Sequence, residues 1–216
     1  MPGDEGGMLE FTNQTKTETN MNTAKINPLD HRFPAHPIEF LYPERWSPRA
    51  MNAAPLSQKE LLRLFEAARW APSAANRQEW YFLYAHRDTP DFERFFSLLN
   101  EGNREWCHRA ALLIVVLSRR QSEEGKPYPT HSLSAGMALQ NLLLQATAMD
   151  LVSHPMAGYD GARARQELHI PENFEIQAML AIGHHGEIEH LPEHQQKKEI
   201  PSQRKPVEEF IQGGGF

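Results

Sequence analysis

Eight consecutive residues, Ala110-Ala111-Leu112-Leu113-Ile114-Val115-Val116-Leu117, carry no polar side chain. A strand with one face in water alternates polar and apolar positions, so an unbroken run of this length reads as a central strand buried within a sheet. The rest of the chain must then supply neighbouring strands and covering helices.

Both are legible. Ser57 with Glu60 forms a capping box, and Leu61, Leu64, Phe65 and Ala68 follow it at helical spacing until Pro72. Trp80 to Tyr84 is aromatic and reads as a strand. Asp91 to Asn100 reads as a second helix with Phe92, Phe95, Phe96 and Leu99 inward, and Gly125 to Thr130 as a loop. Ser132 to Met149 is the longest helix, with Ala135, Ala138, Leu139, Leu142, Leu143 and Ala146 on one face suited to close packing. A loop over Ser153 to Asp160 is expected next, then a short helix over Ala162 to Leu168 and a buried strand over Ile176 to Ile182. Strands and helices alternate irregularly, which favours α+β over a doubly wound sheet. Residues 1–37 are rich in Gly, Thr, Asn and Pro without apolar period, and are expected to be a flexible or surface-wrapping extension. The folded domain is expected over 38–216.

Composition excludes several classes. A formal net charge of -6 argues against a protein that coats nucleic acid, since phosphate binding wants a cationic surface. No stretch reaches the roughly 20 apolar residues of a membrane span. The single cysteine, Cys107, cannot form an intramolecular disulfide and fits a reducing compartment; with no secretory signal visible, the cytoplasm is the expected location.

Four short segments carry groups suited to a phosphorylated, polyhydroxylated, planar ligand. Arg45-Trp46-Ser47-Pro48-Arg49 places two guanidinium groups and a hydroxyl where they can close on one phosphate. Pro72-Ser73-Ala74-Ala75-Asn76-Arg77-Gln78 offers uncharged hydrogen-bonding groups among small residues. Pro155-Met156-Ala157-Gly158 lets backbone N–H groups approach a ring. Arg204-Lys205 could fold back from the other end of the chain to join Arg45 and Arg49. Each segment taken singly also fits an ordinary turn, loop or tail. Together they match flavin mononucleotide, whose phosphate, ribityl chain and ring edge need these groups.

The order and spacing of these segments resemble the nitroreductase family of FMN-dependent NAD(P)H oxidoreductases. The resemblance is carried by ERWSPRAM (44–51), EAARWAPSAANRQEWYF (66–82), SAGMALQNLLLQATAMDLVSHPMAGYD (134–160), IPENFEIQAMLAIG (170–183) and RKPVEEFI (204–211). It implies a nitroreductase-like α+β fold with a mostly antiparallel central sheet flanked by helices, forming an intertwined homodimer with one FMN at each of two subunit-interface sites. It also implies that NADH or NADPH gives hydride and that a small acceptor such as a nitroaromatic or quinone takes the electrons in ping-pong fashion. Arg45, Trp46, Ser47, Arg49, Arg204 and Lys205 correspond to the phosphate and ribityl end. Pro72, Ser73, Ala74, Asn76 and Gln78 would reach the partner's flavin, Asn103 would touch the ring, and Pro155, Met156, Ala157 and Gly158 would line it near N5. The flavin carries the chemistry, so no side chain is expected to be catalytic and no metal is expected.

Three positions depart from the family pattern. Trp46 stands where a basic or polar residue is frequent, Ala74 replaces a serine, and Glu79 a proline. Other reactions on the same scaffold, such as reductive dehalogenation or dehydrogenation, stay open, as does a flavin carrier without turnover. A metal-binding module would draw on His184, His185, His190 and His194, but Leu191-Pro192 interrupts the helix that such a clamp needs.

Overall fold

The computed structural model describes residues 25–215. In chain order the elements are α1 (Leu41–Glu44), α2 (Gln58–Arg69), β1 (Trp80–His86), α3 (Pro90–Ser97), α4 (Glu101–Cys107), β2 (Leu112–Arg119), α5 (His131–Ala148), β3 (Leu151–Met156), α6 (Gly161–Glu167), β4 (Phe174–His184) and α7 (Glu193–Gln196). The four strands form one antiparallel sheet in the order β1-β2-β4-β3. This is the expected α+β architecture.

The apolar run is β2, and pairing explains why it tolerates no polar residue. Alternate side chains leave opposite faces of a strand. Leu113, Val115 and Leu117 enter one core with Phe92, Phe95, Trp106 and Cys107, from α3 and α4. Leu112, Ile114 and Val116 enter a second core with Leu61, Leu64 and Ala68 of α2 and with Ala138, Leu142 and Ala146 of α5. Helices therefore cover both faces, and β2 is dry on each. The small residues of α5 let it lie close to α2, where Asn141 Nδ2 donates to Ala67 O at 3.2 Å. The capping box of α2 forms as expected: Glu60 N donates to Ser57 Oγ at 3.2 Å and Ser57 N to Glu60 Oε2 at 2.8 Å.

Two expectations are corrected. Residues 153–156 are not loop but the outer part of β3. Pro155 argued against a strand because it has no N–H to donate; β3 pairs only with β4, and an edge strand accommodates that loss. Asn103, for which no helix was expected, lies in α4 just before β2, and the Asn100 side chain caps that helix, Oδ1 accepting from Asn103 N at 3.0 Å. That seven-residue helix contains Gly102 and only two buried apolar side chains, so it leaves no helical period to read.

Of the expected extension, residues 1–24 lie outside the described residues. Residues 28–32 pack against α1 and the C-terminal segment, with Pro28 and Arg32 buried, whereas 33–37 are exposed. No helix among the described residues is long and apolar enough to cross a membrane.

Candidate functional site

The segment after α1 is held in place along much of its length. Arg45 leaves the helix in extended conformation. Met51 then bridges to His185, and Gly186 N donates to Ala50 O at 3.0 Å. A Cβ on Gly186 would lie 2.5 Å from Met51 O, so this crossing requires glycine. Between them, the buried carboxylate of Glu199 accepts from Arg49 N at 2.5 Å and Ala50 N at 2.9 Å, and pairs with Arg49 Nη1 at 3.4 Å. Residues 45–51 are thereby fixed relative to the C-terminal segment.

This arrangement closes a cavity of about 320 Å³ whose lining includes Arg32, Arg45, Ser47, Arg49, His154 and Arg204. Trp46, Lys198, Ile200 and Ser202 complete it. Arg45 and Arg204, from opposite ends of the chain, meet here. Burial and the nearby Arg204 charge lower the pKa of Arg45, and burial, Arg204 and Arg45 bring Arg32 down to about 10. Unlike Arg49, none of these three has a carboxylate within 4.0 Å among the described residues. Like charges gathered without a counter-ion raise the free energy of the empty site, and a bound dianion relieves it.

His154 lies at the cavity edge, over Trp106 at a ring-centroid distance of 4.5 Å. Its Nδ1 is 3.1 Å from Pro48 O, so Nδ1 carries the hydrogen and donates to that carbonyl. Burial holds His154 neutral, with a pKa lowered to about 4. Two larger cavities, of about 500 and 440 Å³, lie across Trp46, and their charged lining includes Glu187 and Glu189 in one and Glu44 and Asp150 in the other. Those carboxylates make them the poorer hosts for a phosphate.

The remaining expected residues are distributed as follows. Lys205 does not line the arginine cavity; it is exposed and pairs with Glu209 at 3.5 Å. Ala157 is exposed and Pro155 and Gly158 are half-buried at the end of β3, whereas Met156 is buried, its Sδ 3.3 Å from Cys107 Sγ. Asn103 Nδ2 donates to Gly158 O at 2.9 Å, so its amide supports the loop backbone. Pro72, Ser73, Ala74, Asn76 and Gln78 are not brought to the cavity of their own chain. They form a largely exposed loop in which Ala75, Asn76 and Gln78 all take positive φ, held by Gln78 N donating to Ser73 Oγ at 2.9 Å. Non-glycine residues in that region cost on the order of 1 kcal/mol or more each, and such strain gathers at binding sites. Glu79 next to it is buried, with both carboxylate oxygens lacking a hydrogen-bond partner among the described residues.

Sequence reasoning missed Arg32 and Glu199. Glu199 stands in a run of charged residues that reads as solvated surface, and Arg32 falls in the expected extension. The four histidines of the metal alternative do not gather: no group of three or more His, Cys, Asp or Glu side chains among the described residues could hold a metal ion.

An antiparallel sheet between two helical layers, with an arginine-lined cavity at its edge, defines an α+β protein with a site suited to an anionic ligand. Comparison with known proteins makes the class specific. The nitroreductase family model matches residues 43–95 and 84–184, and the chain belongs to that family. It is similar to a solved structure described as an oxidoreductase containing FMN, with 40% identity, a TM-score of 0.82, and coverage of 86% of this chain and 96% of that one. Protein DrgA of Synechocystis is 32% identical over 158 residues, spanning 59% of this chain and 74% of DrgA. A Streptomyces coelicolor protein with the provisional name NADH dehydrogenase/NAD(P)H nitroreductase is 25% identical over 173 residues, 71% of this chain and 85% of its own.

Proposed function

We propose that this chain, an oxidoreductase of the nitroreductase family, uses FMN to pass electrons from NADH or NADPH to a small acceptor such as a nitroaromatic or quinone. The observation that carries the reading is the convergence of Arg45, Ser47 and Arg204 on one cavity without a neutralising carboxylate among the described residues. The residues fit the group. Two guanidinium forks and a hydroxyl suit a phosphate dianion, and the 40% identical structure is described as containing FMN. When bound, FMN would supply two-electron redox chemistry that no side chain offers.

The chain's own residues do the positioning. Arg45 and Arg204 bind the phosphate, with Ser47 donating beside them; Arg49, tied to Glu199, fixes the segment that presents them. Neutral His154 holds Pro48 O without adding a further cation to the cavity. The backbone of 155–158, braced by Asn103, would line the ring of bound FMN, and the N–H groups of Met156, Ala157 and Gly158 would supply donors suited to an electron-rich ring edge. Residues 72–78 complete the site of a partner copy in a homodimer, which accounts for a strained polar loop that stands apart from the arginine cavity of its own chain. Donor and acceptor would alternate at one opening, a reading with which the lack of a G-x-G-x-x-G fingerprint agrees.

The test is to purify the chain and mix it anaerobically with NADH and with NADPH. The flavin absorbance should bleach with at least one donor and return on adding a quinone. Protein that stays yellow with both refutes the donor assignment, and colourless protein that takes up no FMN refutes the cofactor.

A further inference from the structure

We propose that Arg32 is a positioning residue of the anion site: it clasps the two chain ends that carry Arg45 and Arg204 and adds a third positive charge beside them. The proposal rests on the reading of that cavity as the FMN phosphate site.

Arg32 sits at a junction of three segments distant in sequence. Its Nη1 donates to Pro43 O at 3.0 Å and Arg45 O at 2.6 Å, and its Nε donates to Ser202 O at 3.0 Å. One planar group therefore joins the backbone that presents Arg45 to the backbone that presents Arg204. The bridge is reinforced on one side by Gln203 Nε2, which donates to His31 O at 2.7 Å. Lysine cannot reproduce it, because an ammonium lacks the forked geometry that reaches three carbonyls at once.

The site shows that this contact is more than a strut. Arg32 is 9% exposed and meets only carbonyl dipoles, and no carboxylate lies within 4.0 Å of it among the described residues. A guanidinium buried to that degree is costly unless something neutralises it. It lines the same cavity as Arg45 and Arg204. The lowered pKa of Arg32, caused by burial and then by those two charges, agrees with an excess of positive charge awaiting an anion. Arg32 thus fixes the spacing of the other two guanidinium groups and strengthens their field.

The consequence is selective. A clasp that acts on the phosphate end should matter for FMN and not for riboflavin, which has the same ring and ribityl chain without the phosphate. In the full chain, Arg32→Met is expected to weaken FMN binding about 10- to 100-fold while riboflavin affinity stays within about twofold, both read by quenching of flavin fluorescence. Arg32→Lys, which keeps the charge and loses the fork, should fall between, at about 3- to 10-fold. The dependence of FMN affinity on salt should also flatten in Arg32→Met, as expected when one of the cations around the cavity is removed. If Arg32→Met does not fold, Arg32→Lys carries the test with the same pair of flavins. Equal weakening for FMN and riboflavin, or no change for either, overturns the proposal. Wild-type protein that binds FMN no better than riboflavin overturns the phosphate site itself, and this proposal with it.

Discussion

Gly158 offers a close test of how the loop after β3 is built. Its φ is not in the left-handed region, so glycine is not required for backbone reasons; the constraint is space. A Cβ built there would overlap the Asn100 amide and lie 2.8 Å from Asn103 Nδ2. Both asparagines have work that fixes their rotamers. Asn100 caps α4, and Asn103 Nδ2 donates to Gly158 O at 2.9 Å. In Gly158→Ala both amides must shift, since each lies within 3.0 Å of the added Cβ. Losing the 2.9 Å bond costs about 1 kcal/mol, loosening the cap about 1 kcal/mol, and the residual crowding about 1 kcal/mol more. The sum, about 3 kcal/mol, lowers the melting temperature of a chain this size by about 6–12 °C. Circular dichroism melts of wild type, Gly158→Ala and Gly161→Ala provide the assay. Gly161 opens α6, where a Cβ would meet nothing nearer than Tyr159 Cε2 at 3.6 Å. That control should be neutral or gain up to about 1 kcal/mol. A Gly158→Ala protein that melts within about 2 °C of wild type refutes the steric reasoning.

Other substitutions probe other parts of the fold. Ser57→Ala removes the capping-box hydroxyl of α2 and should cost about 1 kcal/mol in urea unfolding with the m-value unchanged. Ile114→Ala, at a fully buried β2 position facing α2 and α5, should cost about 2–5 kcal/mol by the same measurement. His154 makes stability depend on pH. Its folded pKa is depressed to about 4 from an ordinary 6.5, so as pH falls the unfolded chain takes up its proton first. The contribution is complete above about 6.5 and is lost between 6.5 and 4, on the order of 3 kcal/mol. His185, also depressed by burial, acts in the same direction, so His154→Gln should remove part of the slope and leave the rest. A wild-type stability curve that is flat from pH 7 to 4.5 contradicts this account.

The fold was readable wherever one physical signal dominated. The dry run of β2, the capping box at Ser57 and the small-residue face of α5 each admit one structure, and each forms as expected. The weak points are short elements whose stability comes from their neighbours. The α4 helix is held by its Asn100 cap and by burial of Trp106 and Cys107, and β3 by pairing with β4, neither of which leaves a period in the sequence. The site divides the same way. That Arg45, Ser47, Arg49 and Arg204 share one cavity was legible because an anion site calls for guanidinium and hydroxyl groups together. Arg32 and Glu199 were hidden because their role is set by backbone groups at sequence separations of 11 to 170 residues, which only the folded chain reveals. Asn103 has a role the sequence does not show: from α4 its amide donates to Gly158 O and braces the loop.

The most direct test of the anion pocket is the position of phosphorus in crystals of the protein grown with FMN. Phosphate oxygens are expected within about 2.7–2.9 Å of the Arg45 and Arg204 guanidinium nitrogens, in the space that Ser47 also lines. FMN bound with its phosphate elsewhere, and that arginine cavity filled only by solvent, contradicts it.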